Sequence, residues 1–442
     1  MYGSSSARRN ERIGQAKPTF WQSRMSDADA QCLDDKHQEG VMHSTLADQA
    51  TIEKSAMLSS RLMWFMSTCA GIGIANLYYN QPLLALIRNT FKVTEREIGW
   101  VPTLTQIGYA LGMMFLIPLG DMFERKRLIV LFSALGAVTA LGTALAPSLY
   151  VLLPASFLYG LTTMTPQLLV PLAIHLSGNE QRGRVVGVMI SGILMGILVA
   201  RVISGFLGDW FGWRAMFTVA AALMTLTTLV MYWALPGTQP TYHGSYVGLL
   251  KSVVQLFRTQ PVLRESCLFG AMLFGSFMAF WSSLIYLFRS PTLNLGPREV
   301  GLYALIGAVA ALFSPPIGAL TERIRPRRVT GAMIGIALAS YGIIYLGQYN
   351  LLLLAIGVLI MDLGVQLGHV ANQRRVFGLV PDGQSRVQTV YMFCFFIGAG
   401  AGSAAGSWAW TQFQWEGVCS VAALMLGVAA LRWLAPDPAQ RS

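Results

Sequence analysis

Charge is scarce in this chain. Asp, Glu, Lys and Arg make up 12% of the 442 residues, against 54% hydrophobic ones, and a soluble domain of this length would carry more. Histidine and cysteine number five each. There is no C-x-x-C pair, H-E-x-x-H, P-loop or G-x-S-x-G, so metal ligation, nucleotide hydrolysis and serine-based hydrolysis have no basis here. No metal and no cofactor is expected, and a membrane enzyme or receptor finds little support. Cys32, Cys69, Cys267, Cys394 and Cys419 are odd in number, four lie in apolar runs, and they read as small buried side chains. The first 60 residues lack an apolar core with a cleavage site, so no signal peptide is expected there. That polar, mixed-charge stretch reads as a disordered cytoplasmic tail.

What the chain has is apolar runs. A hydrocarbon layer roughly 30 Å thick needs about 20 apolar helical residues per crossing, and the sequence predicts twelve such runs. They fall near 61–87, 98–119, 128–146, 149–176, 185–207, 214–235, 264–288, 299–320, 329–347, 351–373, 387–409 and 416–434. The 44 glycines suit helices packed closely in lipid. The net charge of +11 does not point to nucleic acid, because the basic residues sit in short loops between runs. With residues 1–60 inside, fifteen loop arginines and lysines fall on the inner side and six on the outer. The positive-inside rule then puts both termini in the cytoplasm.

An internal repeat organises the runs. Arg184 stands 29 residues before Trp213, and Arg386 stands 29 before Trp415, with Glu180 and Asp382 each four residues before its arginine. The same offset of about 202 brings Asp121 to Glu322. The expected plan is therefore an all-α membrane protein of two parallel six-helix repeats: a bundle over 61–235, a cytoplasmic linker over 236–263, a bundle over 264–434 and a tail over 435–442.

Several polar groups interrupt the runs. Asp362 lies about 16 Å below the outer start of the tenth run, near the midplane, where a carboxyl group could bind and release a proton. Gln366, His369 and Gln373 follow it on one helical face, the last two reading as packing groups. Arg201, in the outer part of the fifth run, either pairs inward or snorkels outward. It interrupts a close-packing face formed by Gly192, Gly196 and Ala200. In the first run, Asn76, Tyr78, Tyr79, Asn80 and Gln81 precede Pro82. They either grip a solute from a wet surface or form an interfacial aromatic belt. Gln167 and Trp281 are further candidates to line a cavity.

Between the second and third runs the chain reads Pro118-Leu119-Gly120-Asp121-Met122-Phe123-Glu124-Arg125-Lys126-Arg127. It resembles the signature loop of the major facilitator superfamily, with Met122 and Glu124 departing from the pattern. Together with ANLYYNQPLL, ARVISGFLGDWFGWR, DLGVQLGHVANQRR and RVQTVYMF, it resembles the bacterial twelve-helix drug-proton antiporter type, near sugar and nucleoside efflux proteins. The resemblance implies a multi-pass protein of the bacterial inner membrane. It would export a small organic solute by proton antiport and alternating access, acting as a monomer with solute, protons and the lipid bilayer as partners. Proton-coupled uptake by symport is the alternative. On this reading Asp362 carries the proton or holds solute, and Arg201 is its charge partner or a gate. Gln366, Asn76, Tyr79, Asn80, Gln167 and Trp281 line the site. Asp121, Arg125 and Arg127, echoed by Glu322 and Arg323, form a cytoplasmic gating loop.

Overall fold

In lipid a backbone must close its own hydrogen bonds, and long helices do so. The structure, a computed structural model, describes residues 58–178, 181–237, 245–321, 323–379 and 384–440. The tail expected over 1–60 falls outside them up to residue 57, as do Glu180, Glu322 and Asp382. The described residues are helical nearly throughout.

Six helices precede the linker: α1 (Ser60–Ala75), α2 (Trp100–Phe115), α3 (Arg125–Ala144), α4 (Leu149–Thr162, resuming as Thr165–His175), α5 (Arg182–Phe211) and α6 (Trp213–Ala234). Six follow it: α7 (Pro261–Phe288), α8 (Pro297–Thr321), α9 (Pro326–Leu346), α10 (Leu351–Phe377), and one continuous run, Gln384–Leu434, that breaks at Phe413 and Gln414 into α11 (384–412) and α12 (415–434). Among the described residues nine helices are long and apolar enough to span a bilayer. The last of these holds two crossings, and α1 and α8 complete the expected twelve. Side-chain caps mark several starts. Ser59 accepts from Leu62 N, Asn350 accepts from Leu352 N and Leu353 N, and proline opens α7 and α9.

The first crossing differs from the unbroken run expected. After Ala75 the chain turns through Asn76, Leu77 and Tyr78, whose N–H groups bond three residues back. It passes a short 3₁₀ turn, Gln81–Leu83, and resumes as Leu84–Phe91. Pro82 has no N–H to give, and the tighter bonding leaves the chain between Asn76 and Asn80 as an elbow.

The repeat extends to the corners. Gly212 (φ 81°) and Gln414 (φ 52°) stand 202 residues apart, each in the left-handed region. Each is followed by a buried tryptophan, Trp213 or Trp415. The fifth helix of each half thus turns directly into the sixth.

With twelve crossings, the two ends of the described chain share one side, called here the terminal end; the opposite side is the distal end. The two halves meet mainly at the distal end. A Cβ on Gly205 of α5 would stand 2.5 Å from Pro297 O of α8, and one on Gly99, just before α2, would stand 2.3 Å from Ser407 Cβ of α11. Within the first half, α1 and α5 touch through Gly71, Gly192 and Gly196, the close-packing face that the glycine spacing predicts. Between the halves, the linker helix Tyr246–Thr259 is largely exposed, with Val253 buried. Tyr246 donates to Phe115 O at 2.7 Å.

Candidate functional site

Burying a charge is costly unless it is paired or hydrogen-bonded, and two buried charges lie close to the seam between the halves. Arg201 of α5 is 4% exposed and Asp362 of α10 is 2% exposed. Asp362 lies eleven residues from the distal end of α10, about 16 Å along the helix. Arg201 lies ten residues from the distal end of α5, about 15 Å. The two are therefore level. Counted from Val185 at the inner start of the fifth run, Arg201 lies about 24 Å along the helix and so off the midplane; counted from the distal end of α5 at Phe211 it is level with Asp362.

Arg201 turns inward rather than snorkelling. Its Nε donates to Gln81 Oε1 at 2.8 Å, and its guanidinium lies 4.1 Å from the ring centroid of Trp281, 5.0 Å from Tyr78 and 5.6 Å from Phe277. An arginine face against aromatic rings is a favourable arrangement once water is excluded. The elbow in the first crossing makes this possible, because it brings Tyr78 and Gln81 beside α5. Gln81 also reaches Met278 of the second half, Nε2 to Sδ 3.3 Å, and Gln106 of α2 approaches the same sulfur.

Asp362 and Arg201 lie within each other's electrostatic reach without forming a direct ion pair. Asp362 Oδ1 and Arg201 Nη2 are buried with no hydrogen-bond partner among the described residues, while the Trp281 indole lies close enough to interact with the Asp362 carboxyl group. Buried polar atoms are normally satisfied, so the open carboxyl oxygen and guanidinium nitrogen mark a place for water, a proton or a solute group. Gln366 stands one turn along α10 from Asp362, half-buried.

The other expected site residues divide. Gln167 is half-buried and donates to Tyr109 OH at 2.9 Å. The Tyr109 ring meets Phe396 of α11 at 4.5 Å, so this pair reaches the seam. Asn76, Tyr79 and Asn80 are buried, and each makes one bond inside the first half, while Asn76 Nδ2 and Asn80 Oδ1 have no hydrogen-bond partner among the described residues. Tyr159 OH donates to Asn76 Oδ1 at 2.7 Å, Ser204 Oγ donates to Tyr79 O, and Asn80 Nδ2 donates to Thr105 Oγ1 at 3.3 Å. His369 Nδ1 is 2.9 Å from Tyr391 OH.

In the gating loop, Arg125 pairs with Asp121 at 3.2 Å and Arg127 with Glu124 at 2.6 Å, so both pairs stay within the loop. Arg323 is exposed.

One group of residues escaped the sequence. At the terminal end of the second half, the fully buried Glu265 carboxylate is met by Arg327 at 3.1 Å, Arg375 at 2.5 Å and Arg432 at 2.9 Å. Asp437 joins through Arg375 at 2.7 Å. These charges tie α7, α9, α10 and α12 at their bases. The acid at the start of the seventh run, Glu265 in Arg264-Glu265-Ser266 just after Pro261, was the available signal. Gln106, Phe277 and Met278 were missed too, although Phe277 lies one turn before Trp281 on the same face.

Twelve helices in two repeats, with a charged seam buried at mid-depth, define a multi-pass carrier of small solutes. The chain belongs to the Major Facilitator Superfamily, whose sequence profile matches residues 63–311 and 292–442, and it is a transporter of that superfamily. An uncharacterized transporter of Escherichia coli, YgaY, is 39% identical over 376 residues, covering 85% of this chain and 95% of that one. Among solved structures, a bacterial homolog of the human lysosomal transporter Spinster, in an inward-facing and unoccupied conformation, has a TM-score of 0.68 at 16% identity. It covers 85% of this chain and 96% of that one. The nucleoside transporter NupG has a TM-score of 0.67 at 16% identity, covering 84% and 98%. At these identities the structures speak for the fold alone.

Proposed function

We propose that this transporter exports a small organic solute, drug-like, sugar-like or nucleoside-like, from the cytoplasm in exchange for protons. The observation that supports this reading is the Asp362 carboxyl group, buried at mid-depth with one oxygen open, across the seam from a caged arginine on the other half. A proton arriving at Asp362 removes its attraction for Arg201. Differential attraction of this kind is what shifts the balance between two access states. Solute enters between the halves from the terminal end, taken as cytoplasmic, while the distal contacts of α5 with α8 and α2 with α11 hold the other side shut. Trp281, Gln366 and Gln167 touch the solute. Asn76, Tyr79 and Asn80 hold the elbow of the first crossing in place. When the distal side opens, Asp121 and Arg125 exchange their mutual pair for contacts with the second half, near Glu322 and Arg323. One chain in the bacterial inner membrane is the working unit.

Inside-out vesicles with an acidified lumen are expected to load a member of a panel of sugars, nucleosides and lipophilic cations. Asp362→Asn is expected to insert normally and to abolish proton-driven loading. Accumulation only by right-side-out vesicles under an inward proton gradient would make the protein an uptake symporter, and unchanged coupling in the variant would remove Asp362 from the mechanism.

A further inference from the structure

A cavity opens at the distal end, beyond the seam site. It is a cleft of about 940 Å³ walled by both halves: Arg88, Arg96 and Trp100 from the first, Tyr286, Arg289 and Trp410 from the second. That size lies within the range of small-molecule sites.

Its charge is not balanced. Glu95 is taken by Arg88, with which it forms an ion pair. Glu97 is held in a capping box, accepting from Thr94 N and Thr94 Oγ1 at 2.8 Å. The side chains of Arg96 and Arg289 are exposed and make no ion pair or hydrogen bond among the described residues. The three arginines of the cleft outnumber its two acids, so its net charge is positive, and two of its cations, one on each wall, have no ion-pair partner among the described residues.

The floor is aromatic and carries an open polar group. Tyr286 is only 4% exposed, its ring lies 5.8 Å from that of Trp410, and its hydroxyl has no partner among the described residues. Ser290 Oγ, beside it, is also buried and unpartnered. A buried tyrosine hydroxyl normally finds a partner, so this floor is shaped for a ligand atom. Tyr286 lies five residues beyond Trp281 along α7, about 7 Å nearer the distal end, which separates the cleft from the Asp362 level.

We propose that this distal cleft is a second binding site, for small organic anions that carry a flat aromatic part. The anionic group bridges Arg96 and Arg289, and the ring lies against Trp100 and Trp410 above the Tyr286 hydroxyl. Because its two cations belong to different halves, an occupant fastens the distal end in its closed state. The contacts of the site are made by residues other than Asp362 and Arg201, so its existence does not rest on the direction of transport.

The test is calorimetric titration of the purified, detergent-solubilised protein with naphthalene-2-sulfonate, with protein-free micelles as blank. Saturable binding tighter than about 1 mM is expected. Arg96→Gln and Arg289→Gln, both at exposed positions, are each expected to weaken it about tenfold, since charge-assisted contacts are the stronger ones. The proposal is overturned if binding does not saturate, if neutral naphthalene-2-methanol binds equally well, or if both arginine variants bind like the parent.

Discussion

The contact between α1 and α5 gives a test in which one substitution, made twice on the same helix, should have opposite effects. In Gly196→Ala, the new methyl carbon would stand 2.2 Å from Gly71 O and 2.6 Å from Gly71 C and Cα. All three are backbone atoms, so no side chain can swing aside. Comfortable carbon contacts need roughly 3.5–4.0 Å, and the helices must therefore part by about 1 Å. Overpacking of this kind costs about 1–3 kcal/mol, against a gain of roughly 1 kcal/mol for replacing glycine by alanine in a helix. Because the clash is with backbone, the upper part of that range applies, and a net loss of up to about 2 kcal/mol is expected. Gly187→Ala, nine residues earlier, meets nothing within 4 Å and keeps only the helical gain. Apparent melting temperatures of the two purified variants, read at one scan rate in one detergent, should fall on opposite sides of the parent. The reasoning fails if Gly196→Ala melts at or above the parent, or if both variants lose stability equally. A further readout follows from geometry: the same displacement pulls Arg201 away from Gln81, so flux through Gly196→Ala should fall even at temperatures where it is folded.

Other predictions rest on single residues. Arg201→Lys keeps the charge but not the planar face stacked among Trp281, Tyr78 and Phe277, and solute flux is expected to drop at least tenfold with normal expression; parental flux would show that charge alone suffices. Gln414→Gly relieves a left-handed backbone at the corner where the other half already carries Gly212. It should raise stability by about 1 kcal/mol, and a lowered melting temperature would contradict the account. Glu265→Gln leaves three arginines around a neutral group. It should cost about 3 kcal/mol or more, with little recovery in high salt because the carboxylate is buried; a variant as stable as the parent would show the cluster to be dispensable.

Much of the fold was legible because lipid allows few options. A run of apolar residues between charged loops has to be a crossing, and the duplication showed through arginine and tryptophan spacings that the Gly212 and Gln414 corners repeat. The elbow in the first crossing was not legible as a break, since Pro82 fits a mild kink equally well and nothing local distinguishes the two. Asp362 stood out as a lone acid in an apolar run, and its level partner Arg201 was noticed but misplaced. The Glu265 cluster was hidden by distance in the sequence. Its arginines sit at helix ends, where they read as topology signals, and only packing brings α7, α9, α10 and α12 to one point. The polar run of the first crossing could be seen in the sequence but not its partners: Asn76 and Asn80 each spend one side-chain atom on a bond within their own half and keep the other buried and open among the described residues.

The loop-free corners at Gly212 and Gln414 have a mechanical consequence. A helix pair joined by a flexible connector can tilt on one side while the other stays still, whereas a pair joined through one residue, Gly212, or two, Phe413 and Gln414, behaves like a bent rod and passes on torque with little slack. Rotation of α5 must carry α6 with it, and α11 must carry α12, so lipid-facing surfaces register any movement at the centre. Bilayer thickness and lateral pressure therefore act on this carrier through its outermost helices as directly as a bound molecule acts from within.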